Sequence, residues 1–209
     1  MNRNILAASL IALLSSHPVW ADTWYVTVDT STLNGLSGWL DFQFNPADAS
    51  APVATASLAA FSSNGVLAAA TPTGDVTGNL GSTLVLGNTQ YFNDWLQGFT
   101  FGSTLSFSVS INVPVPNASA SGTAFSLSFY DSSYNSLLAD PAWGAALVIN
   151  ANDNATIDVL AQSAPVSLST SPVPEPQNAL LFLSGLGLIG WRLRKLNHAA
   201  PFHAPTSTP

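Results

Sequence analysis

Leu105-Ser106-Phe107-Ser108-Val109-Ser110-Ile111 decides the fold. Apolar and hydroxyl side chains alternate there with a period of two, the repeat that sends successive side chains to opposite faces of a strand. The same alternation returns in Phe125-Ser126-Leu127-Ser128-Phe129. Both stretches read as half-buried strands, apolar towards a core and serine towards water. Working outward, Trp24-Tyr25-Val26-Thr27-Val28 and Trp39-Leu40-Asp41-Phe42-Gln43-Phe44 are rich in β-branched and aromatic residues, with an Asn34-Gly35 turn between them. Further strands are expected over residues 55–61, 83–86, 99–101, 144–149 and 156–160. Turn residues punctuate the gaps, as in Ser63-Asn64-Gly65, Gly87-Asn88 and Val113-Pro114-Val115-Pro116-Asn117. Helical periodicity is confined to short turns near residues 92–96 or 136–139. Many short strands, frequent turns and no repeat of fixed period predict an all-β protein, an antiparallel β-sandwich of jelly-roll-like form. The body is expected over residues 22–168. The Ser- and Pro-rich residues 163–176 read as a linker, with 169–178 leading into Pro174-Glu175-Pro176.

Charge narrows the function classes. The chain has 209 residues and a formal net charge of −7. Its four cations are Arg3, Arg192, Arg194 and Lys195, near the two ends, and its 11 carboxylates all lie between Asp22 and Glu175. The histidines, His17, His198 and His203, also fall outside the body. A body with no lysine or arginine repels phosphates, which excludes nucleic acid and an anionic membrane surface as partners. Without cysteine or histidine it offers no thiolate nucleophile, no Ser-His-Asp triad and no imidazole or thiolate metal site. Carboxylate chemistry is what remains, so a hydrolase built on paired aspartates is a remote alternative. Most aspartates, however, stand beside turn residues, as in Asn45-Pro46-Ala47-Asp48, Gly74-Asp75 and Asp140-Pro141, where bonding to the backbone accounts for them. The expectation is a non-enzyme with no resident cofactor.

Both ends read as targeting segments. Met1-Asn2-Arg3 forms a positive n-region, residues 5–14 an apolar h-region, and Val19-Trp20-Ala21 a small-x-small cleavage site. Residues 1–21 are therefore expected to be a signal peptide, cut between Ala21 and Asp22. At the other end stand Val173-Pro174-Glu175-Pro176, the apolar run 179–191, and the basic stop Arg192, Arg194 and Lys195. The two prolines hold Glu175 on an extended, accessible segment. As a helix, the run would be about 20 Å long at about 1.5 Å per residue, against a hydrocarbon core of about 30 Å. That is short for a permanent anchor. The cations behind it favour the cytoplasmic side, with everything upstream outside. Ser184, Gly185, Gly187 and Gly190 keep the helix slim, suited to docking against another membrane protein.

This order of elements resembles the PEP-CTERM sorting signal of exopolysaccharide-producing Gram-negative bacteria. The resemblance covers about the last thirty residues and implies recognition by a membrane-embedded exosortase, with removal of the tail at or near Pro-Glu-Pro. Family members usually stop soon after the basic cluster, whereas residues 196–209 add a polar, Pro-containing tail here. A plain tail anchor and a buried helix are the alternatives for 179–195. The opening Asp22-Thr23-Trp24-Tyr25-Val26-Thr27-Val28-Asp29-Thr30, with Gly38-Trp39-Leu40-Asp41-Phe42-Gln43-Phe44-Asn45-Pro46, also resembles an uncharacterised group of PEP-CTERM proteins.

Two places in the body suggest ligands. Asn150, Asn152, Asn154 and Asp158 set oxygen donors at alternate positions, a calcium-loop candidate that lacks the glycine and terminal glutamate of an EF-hand; an Asn-rich hairpin explains them equally. Tyr91, Asp94 and Trp95, in Tyr91-Phe92-Asn93-Asp94-Trp95, mix aromatic rings with amide and carboxylate groups as a carbohydrate-binding loop does, with core packing as the plainer account. The expected function is that of an exported, non-enzymatic protein of the cell surface or extracellular matrix. It would be anchored transiently in the inner membrane, processed by exosortase and associated with exopolysaccharide or biofilm. A carbohydrate-binding module with a defined sugar site is the alternative.

Overall fold

A computed structural model describes residues 21–113, 121–154 and 156–170. All of them belong to the first of the two units into which the chain divides, Met1–Ser171 and Pro172–Pro209. In chain order the strands are β1 (Ala21–Asp29), β2 (Ser37–Pro46), β3 (Thr55–Ser63), β4 (Val66–Thr73), β5 (Val76–Gly78), β6 (Thr83–Gly87) and β7 (Asp94–Thr100). They continue as β8 (Thr104–Asn112), β9 (Thr123–Asp131), β10 (Ser136–Leu137), β11 (Leu147–Ala151), β12 (Ile157–Gln162) and β13 (Val166–Thr170). A 3-10 turn, Ser31–Leu33, links β1 to β2.

The strands form two antiparallel sheets. One runs β13-β1-β8-β3-β6-β5, and the other runs β12-β11-β9-β2-β7-β4 with β10 added to β9. The serine alternation of β8 explains why it is central: Leu105, Phe107, Val109 and Ile111 are buried while Ser106, Ser108 and Ser110 face the other way. Across the interface, Leu40, Phe42 and Phe44 of β2 and Phe125, Leu127 and Phe129 of β9 are buried in the same core. Phe42 meets Phe107 edge-on, with ring centroids 5.5 Å apart and planes at 86°, and Phe61 of β3 meets Phe99 of β7 in the same manner. Each such side chain contributes about 1.5–3 kcal/mol by leaving water. The polar faces look outward, so the period of two in the sequence becomes two sheets packed by their apolar sides.

Several segments differ from expectation. Residues 166–170, expected in the linker apart from its first members, form β13, which pairs with β1 from Trp24↔Thr170 to Val28↔Val166. The physical reason is local alternation: Val166 is buried and Leu168 packs on the core, while β1 gains a ladder partner on its second side. The helical turns expected near 92–96 and 136–139 are absent. β7 starts at Asp94, earlier than the expected 99–101, because β2 and β4 hold ladders on both of its sides. Ser136–Leu137 pairs with Tyr130 and Phe129. β4 and β5 carry no alternation and were not expected. The strand expected at 144–149 begins instead at Leu147, since Gly144, at φ 72, lies in a turn closed on Asp140.

This layering makes adjacent residues of β8 unequal. Phe107→Ala should lower unfolding free energy by about 3–5 kcal/mol, whereas Ser110→Ala should change it by less than about 0.5 kcal/mol. Urea unfolding of both variants checks this, and equal losses would contradict the assigned faces.

Candidate functional site

The outer face of the first sheet is a hydroxyl-rich plane, with the Asp29 carboxylate at the end of β1. Tyr25 of β1 stands between Ser169 of β13 and Ser108 of β8; Thr27 stands between Ser167 and Ser106. Ser57 of β3 continues the row opposite Ser110. Tyr25, half exposed, is the one aromatic among them. Apart from the Asp29 carboxylate, such a surface offers hydroxyl groups that can exchange hydrogen bonds with a hydrated, hydroxyl-rich polymer.

The second sheet has a different outer face. Trp39, Asp41, Gln43 and Asn45 of β2 alternate with the core residues and point away from them. Asn45 Nδ2 donates to Gln43 Oε1 (2.9 Å), and Gln43 Nε2 donates to Asp41 Oδ2 (2.7 Å). The register pairs Gln43 with Asp94 and Asp41 with Leu96, so Asp94 lies diagonally beside Asp41 on this face. Both aspartates are buried, and Oδ1 of each finds no partner among the described residues. Burial first, then the adjacent Asp41 carboxyl, as an acceptor for the protonated form and as a negative charge, push the Asp94 carboxyl up to about 8. One proton held by Asp94 gives this pair the donor that two carboxylates lack. At the end of the row Trp39 stacks on Tyr134, with centroids 5.6 Å apart and planes at 9°. Tyr134 takes a left-handed conformation, φ 63, in a turn where Asp131 Oδ1 accepts from the backbone N–H groups of Ser133 and Asn135.

The expected sugar cluster is divided between surroundings. Trp95 faces inward opposite Phe42, is 8 % exposed and donates from Nε1 to Gln97 Oε1, so it is a core residue and offers no platform. Asp94 belongs to the outer face just described. Tyr91 alone projects, 71 % exposed, and lines a surface cleft of about 270 Å³ with Asp48, Val53, Asn88, Thr89 and Gln90. Two amides hold the walls of this cleft, Asn88, which the sequence marks only as a turn residue, and Asn93, which it places in the aromatic cluster. Asn88 accepts from the Ala54 N–H and donates to the Pro52 carbonyl and Thr123 Oγ1, tying the β2–β3 loop to the β6–β7 loop. Asn93, fully buried, donates to the Phe44 and Gln90 carbonyls and accepts from the Asp75 N–H. Gly74, at φ 76, is required there because a Cβ would strike the Phe92 carbonyl. The only sequence signal was an asparagine beside each turn, which many loops share.

The calcium-loop candidate is a β11–β12 hairpin in which Asn152 Oδ1, Asn154 Oδ1 and Asp158 Oδ2 accept hydrogen bonds from neighbouring side chains or backbone. Asn150 Nδ2 donates to Asn152 Oδ1, Asn152 Nδ2 donates to Asp158 Oδ2, and Asn154 Oδ1 accepts from the N–H and hydroxyl of Thr156. Among the described residues no group of three or more acidic, histidine or cysteine side chains is placed to hold a metal ion. Ala21 and Asp22, flanking the expected signal cleavage, begin β1. The sorting residues Val173, Pro174, Glu175 and Pro176 and the stop Arg192, Arg194 and Lys195 lie outside the described residues. Within those residues no helix is long and apolar enough to cross a membrane. No protein-family model, curated protein or solved structure matches the chain.

The Asp41–Asp94 pair gives stability a readable pH dependence. A folded-state value near 8, against 3.8 ordinarily, means the folded protein keeps a proton that the unfolded chain releases. Stability from this source is therefore complete below about pH 4 and is lost as pH rises towards 8. The melting temperature should fall across that window, and Asp94→Asn should flatten the fall and raise stability at pH 8. A melting series in which the two proteins run parallel would remove the shared proton from the account.

Proposed function

We propose that this chain is an exported, non-enzymatic protein of the bacterial cell surface or extracellular matrix, sorted through its C-terminal segment by an exosortase. The observation that carries this reading is the position of the folded body. A β-sheet body whose described residues carry no lysine, arginine or histidine ends its last strand at Thr170, and the unit boundary falls between Ser171 and Pro172, directly ahead of Val173-Pro174-Glu175-Pro176. At the front, β1 starts at Ala21, so cleavage before Asp22 removes one residue of the strand and leaves its ladder to β8 from Asp22 onward. Processing at both points would release the sandwich nearly whole.

The finer architecture we infer is a jelly roll. The order β1-β8-β3-β6 in one sheet and β2-β7-β4 in the other supports this, being that of a double Greek key, with β5 carried on β6 and with β9, β10, β11, β12 and β13 as additions outside it. Such a body, free of cations and hydroxyl-rich on one face, suits association with exopolysaccharide or biofilm matrix. Its membrane residence would be transient, lasting until exosortase acts.

Replacing Pro174, Glu175 and Pro176 with alanine should leave unprocessed precursor in the inner membrane, measured by intact mass of membrane and matrix fractions. The unmodified protein should give a matrix form running from Asp22 to near Glu175. Normal processing of the triple variant, or a full-length form confined to membranes, would count against exosortase sorting.

A further inference from the structure

We propose that the cleft between residues 46–53 and 88–91 is a subsite for one neutral sugar ring bearing adjacent hydroxyl groups, held by Asp48, Gln90 and Tyr91. This deepens the matrix reading and rests on it for the identity of the ligand class.

Three kinds of contact meet in the cleft. Tyr91 supplies an aromatic ring that is 71 % exposed, on a segment fixed from behind by Asn93. The apolar face of a pyranose can cover such a ring, as other flat apolar groups do. Asp48 supplies a carboxylate whose hydrogen bonds to described residues, from the Ser50 N–H (2.7 Å), Ser50 Oγ (2.6 Å) and Ser121 Oγ (2.8 Å), all run to Oδ1. Those bonds hold its pKa below the ordinary value, led by the Ser50 hydroxyl, so the group is an ionised acceptor. Oδ2 can then accept from sugar hydroxyls. Gln90 lines the same space with an amide that both donates and accepts. A cleft of about 270 Å³ is slightly below the range of about 300–1,000 Å³ usual for small-molecule sites, which suits a single ring of a longer chain better than an enclosed ligand.

Specificity follows from charge. The body has no lysine, arginine or histidine, and Asp48 is ionised, so a uronate or sulfated ring meets repulsion with no cation to offset it. The loops are also held before any ligand arrives: Asn88 bridges them through Ala54, Pro52 and Thr123. Little ordering is then left to be done on binding.

Calorimetric titration of the full chain, in a detergent without a sugar headgroup, tests this. The titrants are neutral gluco-, manno- and galacto-configured oligosaccharides and a uronic acid oligomer of equal length, alongside co-sedimentation with bacterial exopolysaccharide. The expected result is saturable binding of a neutral oligomer, weakened about tenfold or more by Tyr91→Ala and by Gln90→Ala, and unchanged by Tyr134→Ala on the second sheet's aromatic pair. Binding indifferent to Tyr91→Ala, lost only in Tyr134→Ala, or stronger for the uronate would overturn the cleft as the site. No neutral binding would overturn it too, while retained co-sedimentation would leave the matrix reading standing. Oligosaccharide binding through Tyr91 without co-sedimentation would separate the two the other way.

Discussion

Ten aspartates share a folded body with no lysine, arginine or histidine, so each must be solvated, hydrogen-bonded or protonated. The structure uses all three. At the surface, Asp29, Asp48 and Asp131 turn their oxygens onto neighbouring hydroxyl, amide and backbone N–H groups, which lowers their pKa values; the largest contributions come from the side chains of Ser31, Ser50 and Asn135 respectively. These carboxylates organise turns as they are stabilised. Asp94 takes the opposite course, because burial beside Asp41 leaves protonation as the less costly state. The two groups titrate in separate windows, the surface set below the ordinary carboxylate range and Asp94 above it. An acidic body can thus stay folded without one internal ion pair between oppositely charged side chains, provided apolar burial between the sheets carries the main load.

The same lack of cations bears on the sheet edges. Lysine is a usual guard against edge-to-edge pairing, and none is present in the body. β4 is an edge of the second sheet, and it is exposed, uncharged and partly apolar, with Val66 and Leu67 outermost. Its protection is geometric instead. The register with β7 shifts between Leu67 and Ala70, and Pro72 removes a donor from the strand. Proline is tolerated at an edge for the same reason that it blunts one.

What could be read beforehand followed the strength of the alternation. β1, β2, β8 and β9 pair side chains of opposite character at every second residue, and the sheets place them at or near their centres. β4 gave no such signal, since Val66-Leu67-Ala68-Ala69-Ala70 lacks a polar face when neither side is buried. β13 also alternates, but Pro165 and the surrounding serines give it a linker's composition, and its pairing with β1 is what makes it a strand. Sites were harder, because they depend on which strands become neighbours. Tyr91, Asp94 and Trp95 are close in sequence, yet a strand beginning at Asp94 sends Asp94 and Trp95 to opposite faces and leaves Tyr91 in the loop. Asp41 and Asp94 are far apart in sequence, and only the β2–β7 register brings them together.

That pair also bears on whether the body does chemistry. Two carboxyls, one holding its proton near neutral pH, form the kind of arrangement from which an acid and a base can be made. Hydrolysis further requires that a glycosidic oxygen and a water reach the reacting carboxyls. Asp41 is 5 % exposed and Asp94 8 %, on a face where Asp41 is already held by Gln43. The burial that raises Asp94 therefore also keeps substrate away from it. A shared proton in this position stabilises the β2–β7 contact and makes it pH-dependent, which favours a structural role for the pair. Exposed hydroxyl and aromatic groups lie elsewhere, on the outer face of the first sheet and at Tyr91, away from the buried pair.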